Sequence, residues 1–211
     1  SGGPTDLKVY NNKLYFSIGD TSGVYRLWVT DGTNTGTRLV KPYNASTGCY
    51  NINELTIYNG KLYFNAMNST TGRELWASDG TNAGTQMVMD IYPGTLGGEP
   101  YEFKVYNGKL YFCARDATNG RELWETDGTS SGTKMIKDIN PGNADGYPLG
   151  FCEFKGKLFF QANNGTLREE LWETDGTAAG TKLVKDIYYA SASWPSQLTV
   201  FNGQLFFRAN D

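Results

Sequence analysis

Residues 74–81 read ELWASDGT, and the motif returns as ELWETDGT at 122–129 and 170–177 and as RLWVTDGT at 26–33. The tryptophans of the four copies are 48 residues apart. A fixed period of this length indicates a repeat architecture. The local structure is therefore predicted repeat by repeat. Two positions define the motif, and they are occupied by Trp28, Trp76, Trp124 and Trp172 and by Asp31, Asp79, Asp127 and Asp175.

Each repeat predicts four short strands. In the third repeat Asn107-Gly108 separates two alternating runs, a pattern that favours a type I′ hairpin. The strand with Trp124 follows, and the turn at Asp127 leads to a fourth strand. Four strands in a period of this length are typical of a propeller blade. We therefore predict an all-β, β-propeller-like fold with four full four-stranded blades and a terminal half-blade; the alternative is a β-solenoid.

The repeats together predict a single domain over residues 1–211. They cover 7–54, 55–102, 103–150 and 151–197, with a partial repeat at 198–211.

Composition supports an all-β chain and excludes some partners. The chain carries 26 Gly, 14 Tyr and 11 Phe, which suits strands and tight turns. A net charge of −3 without a basic run argues against nucleic acid, because phosphate binding needs clustered Lys and Arg. No apolar run is long enough for a transmembrane helix, so we predict no membrane span.

The motif E-L-W-x-x-D-G-T, followed by x-x-G-T and D-I-x-P-G, resembles the ELWxxDGT repeat family of large secreted bacterial proteins. The resemblance implies a propeller-like, surface or extracellular, non-catalytic protein. The first repeat departs from the pattern, since Arg26 replaces Glu. The fourth replaces I-x-P-G with residues 187–190, which read IYYA.

The absence of histidine narrows the chemistry. It removes Ser-His-Asp and Cys-His nucleophiles and all zinc sites that use histidine. A glycosidase-type pair of carboxylates remains open. However, the acidic residues of the motif recur from blade to blade, whereas a catalytic pair is normally singular. We therefore predict that the protein is not an enzyme.

Several residues are candidates for binding. The motif tryptophans are predicted to pack between blades and the motif aspartates to cap their turns. Trp194 lies outside that period and is a candidate ligand contact, together with Tyr147, Tyr188 and Tyr189. An oxygen-rich loop could hold calcium, and no other cofactor is predicted. The calcium candidates are Asp138, Asn140, Asn143 and Asp145, and the possible N-glycosylation sites are Asn44, Asn68 and Asn164.

The repeats differ most in two sets of loops. These loops join the second strand to the third and the fourth strand to the next blade, and in a propeller both sets emerge on one face. Loops on rigid scaffolds commonly bind. We therefore predict a non-catalytic extracellular or cell-surface protein that binds a glycan or a surface protein through them. The alternative is a structural subunit of a filament, sheath or matrix that self-associates through the open terminal hairpin.

Overall fold

A computed structural model describes residues 3–42 and 48–211 of the chain. These residues form eighteen strands and no helix. The strands make four four-stranded antiparallel sheets and one two-stranded sheet, each in the order of the chain. The predicted all-β fold of four full blades and a half-blade is confirmed, and the alternative of a β-solenoid is wrong because every sheet is a local meander.

The five sheets follow the sequence repeats. The first blade contains β1 (Thr5–Tyr10), β2 (Lys13–Gly19), β3 (Tyr25–Thr30) and β4 (Arg38–Leu39). The second contains β5 (Tyr50–Tyr58), β6 (Lys61–Asn68), β7 (Gly72–Ser78) and β8 (Gln86–Met89). The third contains β9 (Tyr101–Tyr106), β10 (Lys109–Arg115), β11 (Arg121–Thr126) and β12 (Lys134–Lys137). The fourth contains β13 (Leu149–Phe154), β14 (Lys157–Asn163), β15 (Glu169–Thr174) and β16 (Lys182–Lys185), and the half-blade contains β17 (Ser196–Phe201) and β18 (Gln204–Arg208).

The hairpin between the first two strands has the backbone that the sequence predicts. Asn107 and Gly108 have φ angles of 46° and 72°. Both central residues of a type I′ turn need positive φ, which Asn and Gly tolerate best. The same conformation occurs in the first blade at Asn11 and Asn12, with φ angles of 49° and 57°.

The second and third strands of each blade form the buried layer. In the third blade Phe112 pairs with Trp124 across the two strands, and equivalent pairs occur in the other three full blades. Residues 110–114 of β10 are buried on both faces of the sheet. Two-sided burial is what blades that pack face to face require, because a lone sheet buries only one face.

Every first strand for which the pairing is described contains a β-bulge. In the first blade Thr5 pairs with Ser17 and Lys8 with Tyr15, so two residues of β1 oppose one of β2. The same irregularity occurs in β5, β13 and β17. A bulge of this kind bends the strand and changes the direction in which its side chains point.

The described chain divides into two compact units. The first comprises Ser1–Tyr101 with Gly128–Ser130, and the second comprises Glu102–Asp127 with Ser131–Asp211. In the first unit the core joins two blades, with Leu27, Ile52 and Phe64 at most 1% exposed. In the second unit Leu123 and Phe160 are fully buried in the equivalent core. Whether the units form the single domain that the sequence predicts stays a prediction.

The first strands of successive blades lie side by side inside each unit. β1 contacts β5 in the first unit, and β13 contacts β17 in the second. Residues at the starts of these strands are therefore brought close together. Among residues 3–42 and 48–211 there is no helix long and apolar enough to cross a membrane.

Candidate functional site

The glutamate of the repeated motif holds the loop that leads to the next blade. Glu74 is fully buried, and its carboxylate accepts hydrogen bonds from the backbone N–H groups of Ile91, Tyr92 and Gly98 at 3.0, 3.1 and 2.7 Å. Burial raises the pKa of Glu74 to about 7 and that of Glu122, its equivalent in the third blade, to about 8. A fully buried group of this kind cannot meet a substrate, so its role is structural.

The aspartate of the motif caps its own turn. Asp79 Oδ1 accepts hydrogen bonds from the backbone N–H of Thr81 at 2.8 Å and from its hydroxyl at 2.7 Å. These bonds lower the pKa of Asp79. Asp31 and Asp175 make the same two bonds in the first and fourth blades. The motif aspartates therefore stabilise their own turns, and their role is structural.

Three of the motif tryptophans are buried in their blades. Trp76, Trp124 and Trp172 are 4%, 5% and 6% exposed, whereas Trp28 is half-buried. Their side chains cannot stack on a ligand from solvent. The recurring motif as a whole therefore forms scaffold.

A different set of acidic residues occupies one recurring position in the first strands, which lies on the bulge in β1 and β5. Asp6, Glu54 and Glu102 have φ angles of 53°, 60° and 62°, and the equivalent residues of the next two repeats are Gly150 and Gln197, at 70° and 55°. A residue other than glycine in this left-handed region costs about 1 kcal/mol or more. Strain of this order is concentrated at functional sites. These carboxylates are thus candidates for chemistry.

The bulge carboxylates reach across to the next first strand. Asp6 Oδ1 accepts a hydrogen bond of 3.2 Å from the backbone N–H of Glu54. In the second unit Glu102 Oε2 accepts the equivalent bond of 3.0 Å from Gly150. The carboxylate of one blade therefore lies at the bulge of its neighbour, and in the first unit that neighbour is itself acidic.

An arginine completes this group in the first unit. Arg73 Nη1 donates to the Asn51 carbonyl at 2.7 Å and to Asn65 Oδ1 at 2.6 Å. Burial lowers the pKa of the Arg73 guanidinium, and the carboxylates of Glu99 and Glu54 act in the opposite direction. We call Asp6, Glu54, Glu99 and Arg73 the carboxylate site.

The carboxylate site can support acid–base or nucleophilic chemistry. Two carboxyl groups on neighbouring strands can divide the roles of proton donor and of base or nucleophile. Asp6 and Glu54 are half-buried, so they are reachable from solvent. They stand outside the ELWxxDGT motif, so the motif does not single them out as candidates. Asp6, Glu54 and Glu102 are spaced 48 residues apart, and this regular spacing is the sequence feature that could have identified them.

The predicted aromatic contacts are mostly exposed, and two of them occupy equivalent places in their blades. Trp194, Tyr147 and Tyr189 are 53%, 38% and 94% exposed, and Tyr188 is half-buried. The backbone N–H of Tyr147 donates to the Arg121 carbonyl, and that of Trp194 donates to the equivalent Glu169 carbonyl. Trp194 therefore has the same place in its blade as Tyr147. It lies outside the position of the motif tryptophans, as the sequence predicts, and precedes Pro195 as Tyr147 precedes Pro148.

The predicted calcium loop is held by bonds within the protein. Asn140 Nδ2 donates to the Asp145 carbonyl at 2.9 Å, and Asp145 Oδ2 lies 3.2 Å from Arg121 Nη1. Asp138 Oδ2 accepts from the backbone N–H of Gly142, and Asn143 is exposed. In the part of the chain that the structure describes, no three His, Cys, Asp or Glu side chains are grouped as metal ligands. Calcium at this loop stays a prediction.

The glycosylation candidates differ in their surroundings. Asn68 is 4% exposed, and its Nδ2 donates to the Gly48 carbonyl at 2.8 Å. Asn164 is half-buried and accepts hydrogen bonds from its own turn through Oδ1. Asn44 lies outside the described residues. The folded structure thus does not present the Asn68 amide to solvent.

Comparison with solved structures supports a propeller-like fold. The sequence matches no model of a known protein family and no curated protein. The chain is similar to a puromycin hydrolase mutant, with a TM-score of 0.56, 14% identity, and coverage of 97% of this chain and 33% of that one. It thus spans about a third of that structure. This likeness concerns the fold alone.

Two glycoside hydrolases give lower scores. A GH43 α-L-arabinofuranosidase from Clostridium thermocellum has a TM-score of 0.38 at 15% identity, with 95% of this chain and 79% of that chain covered. The xyloglucan locus protein GH43B of Bacteroides ovatus has a TM-score of 0.42 at 16% identity, with 85% and 40% covered.

The prediction of a non-catalytic protein is corrected here. The solved structure that the chain matches with a TM-score of 0.56 carries the name of a hydrolase. Neither the non-catalytic binding role nor the filament, sheath or matrix alternative is retained. The earlier argument rested on acidic residues that recur in every blade. It overlooked bulge carboxylates that are absent from the fourth blade, where Gly150 takes their place.

Proposed function

We propose that the chain is the propeller segment of a glycan-processing hydrolase in which Asp6 and Glu54 act on a glycosidic bond. One observation carries the proposal. Asp6 Oδ1 accepts a hydrogen bond from the Glu54 backbone at 3.2 Å, and both residues have strained, left-handed backbones. The fold would thus hold two carboxyl groups on adjacent strands at the cost of backbone strain.

Glycosidic bonds suit this set of residues. A chain without histidine cannot form a Ser-His-Asp or Cys-His centre. Glycoside hydrolysis needs only two carboxyl groups, one that protonates the leaving oxygen and one that acts as base or nucleophile. The Arg73 guanidinium, beside Glu54 and Glu99, would orient carboxylates or sugar hydroxyls. The hydrolase name of the puromycin hydrolase, which shares the fold, agrees with this role.

The family and the location of the protein are also matters of proposal. Membership of the ELWxxDGT family and an extracellular or surface location stay predictions from the sequence. A secreted glycan-processing protein would be consistent with both.

A hydrolysis screen tests the proposal. The purified protein is incubated with a panel of plant and microbial polysaccharides, and newly formed reducing ends are measured. We expect release from at least one polysaccharide, and its loss in Asp6→Asn. The matched control is Glu153→Gln, an exposed carboxylate on the first strand of the fourth blade that is not at a bulge. Binding of a polysaccharide without any release of reducing ends would overturn the catalytic role.

A further inference from the structure

One backbone position recurs at the start of the first strand in the last four repeats. Asn51, Glu99, Tyr147 and Trp194 have φ angles of 50°, 48°, 47° and 51°. Glu99, Tyr147 and Trp194 are each followed by a buried proline. The position presents a polar side chain in the first unit and an aromatic one in the second. Bulky aromatic residues are rare at positive φ, so their presence here calls for an explanation.

The backbone at this position is fixed on both sides. In the third blade the N–H groups of Gly146 and Tyr147 donate to the Arg121 carbonyl at 2.9 and 3.0 Å. In the fourth blade those of Ser193 and Trp194 donate to the Glu169 carbonyl at 3.1 and 3.2 Å. The preceding carbonyls accept from the neighbouring sheet, since Asn163 donates to Gly146 and Asn210 to Ser193, both at 2.7 Å. The two aromatic side chains therefore project from a rigid frame.

The residues that hold the two aromatic positions carry polar side chains. The Arg121 guanidinium lies 5.8 Å from the centre of the Tyr147 ring and 3.2 Å from the Asp145 carboxylate. In the fourth blade Glu169, whose carbonyl accepts from the Trp194 backbone, has a carboxylate that accepts a hydrogen bond of 3.0 Å from Asn163 Nδ2. An exposed aromatic face flanked by charged and amide groups matches a sugar ring, which has an apolar C–H face and hydroxyls at its edge.

The two rings belong to one surface of the second unit. Tyr147 lies two residues before β13 and Trp194 two residues before β17. These strands contact each other, so the rings stand at the starts of neighbouring strands. Tyr189 is more exposed, at 94%, but it lies in a different part of its loop and lacks this frame.

We propose that Tyr147 and Trp194 form an aromatic platform on the second unit that binds the apolar face of an oligosaccharide. The class of ligand rests on the proposed function, whereas the place rests on the geometry of the second unit alone. A position that is polar in one unit and aromatic in the other would let the fold vary recognition without altering the scaffold.

Tryptophan fluorescence gives a direct test. Trp194 is the one tryptophan of the five that is exposed, because three are at most 6% exposed and Trp28 is half-buried. Quenching by acrylamide therefore reports mainly on Trp194. Xylotriose, cellotriose, maltotriose and N-acetylchitotriose are added to the wild-type chain in turn. We expect at least one to reduce the quenching. If none of them protects Trp194, the proposal is overturned.

Variants then separate the platform from its surroundings. The protecting sugar is titrated by calorimetry against Trp194→Ala and Tyr147→Ala, and we expect about tenfold weaker binding in each. Trp194→Phe should recover most of the affinity, because it restores a ring. Tyr189→Ala is the matched control and should bind as the wild type does. Equal weakening in Tyr189→Ala, or full affinity in Trp194→Ala with an unchanged melting temperature, would contradict the platform.

A final variant keeps this inference distinct from the proposed activity. Glu54→Gln should lose hydrolysis and still bind the sugar at the platform. Hydrolysis without protection of Trp194 overturns the platform and leaves the activity standing. Protection of Trp194 without hydrolysis by the wild-type chain supports the platform and overturns the activity.

Discussion

Asp6 Oδ1 lies 3.2 Å from the backbone nitrogen of Glu54, one repeat further along the chain. The bond joins the bulges of two neighbouring first strands, β1 and β5, which are in contact. In the first unit the bond places an acidic side chain against a second acidic residue. If the role of Glu54 were only structural, glycine would suffice at its position. Gly150 shows this at the equivalent position of the fourth blade.

Residues other than glycine at the bulges should have a strained backbone, so replacing one of them by glycine should stabilise the fold. Gln197→Gly removes a side chain from a backbone with a φ of 55° and leaves the hydrogen bond from Thr199 to the residue 197 carbonyl in place. We expect the free energy of unfolding to rise by about 0.5 to 1 kcal/mol, since the relief of strain exceeds the added freedom of the unfolded chain. Urea denaturation measures it.

The reverse change provides the control for that experiment. Gly150→Ala introduces a side chain at a φ of 70°, where no other atom lies within 4 Å of the new Cβ. The only penalty is therefore conformational, and we expect a loss of about 1 kcal/mol. A stabilised Gly150→Ala, or a destabilised Gln197→Gly, would show that the bulges are not strained.

The second glycine of the repeated turn should be irreplaceable. A Cβ at Gly84 would lie 2.1 Å from Cγ of Asp79, the side chain that caps the turn. We expect Gly84→Ala to lower the free energy of unfolding by about 2 kcal/mol or more, because either the cap or the backbone must move. The measurement is a double-mutant cycle with Asp79→Ala. After the carboxylate is removed, Gly84→Ala should cost much less; simple additivity of the two effects would refute the clash.

The buried glutamates should make stability depend on pH. Burial raises the pKa of Glu74 from 4.5 to about 7 in the folded chain. The folded state therefore binds more protons than the unfolded state in this window, and the free energy of unfolding falls as pH rises through it. The stabilisation is complete below about pH 4.5 and is lost as pH passes about 7. Urea denaturation across this range measures the slope.

Asp90 contributes to that slope, because the charge of its carboxylate raises the pKa of Glu74 further. Asp90→Asn should flatten the pH dependence, since an amide donor replaces a like charge. The control is Asp186→Asn in the fourth blade, where the Ser193 hydroxyl already donates to Glu170 at 2.7 Å. An Asp90→Asn variant with the wild-type slope would assign the pH dependence to other groups.

Much of the fold was predictable because its signals are local. The Asn107-Gly108 hairpin follows from the positive φ angles that type I′ turns require. The burial of Trp124 follows from its recurrence on the third strand of each full blade. Each local pattern recurs with a period of 48 residues. A wrong prediction in one repeat is therefore corrected by the others.

The candidate site was less predictable because it depends on backbone conformation. No residue type identifies the bulge at Glu54, since glutamate rarely adopts positive φ and glycine would be expected. The contact between Asp6 and Glu54 joins residues 48 positions apart on two strands that belong to different sheets. The prolines that follow Tyr147 and Trp194 match in the sequence, whereas the left-handed backbone of these two residues is seen only in the structure.

The rate of glycan hydrolysis by Glu54→Gln, compared with the wild-type chain and with Glu153→Gln, tests the central claim most directly. If the bulge carboxylates carry out the chemistry, Glu54→Gln loses about a hundredfold or more in rate, while Glu153→Gln keeps the wild-type rate. Hydrolysis by Glu54→Gln at the wild-type rate, with the fold intact, would contradict the account.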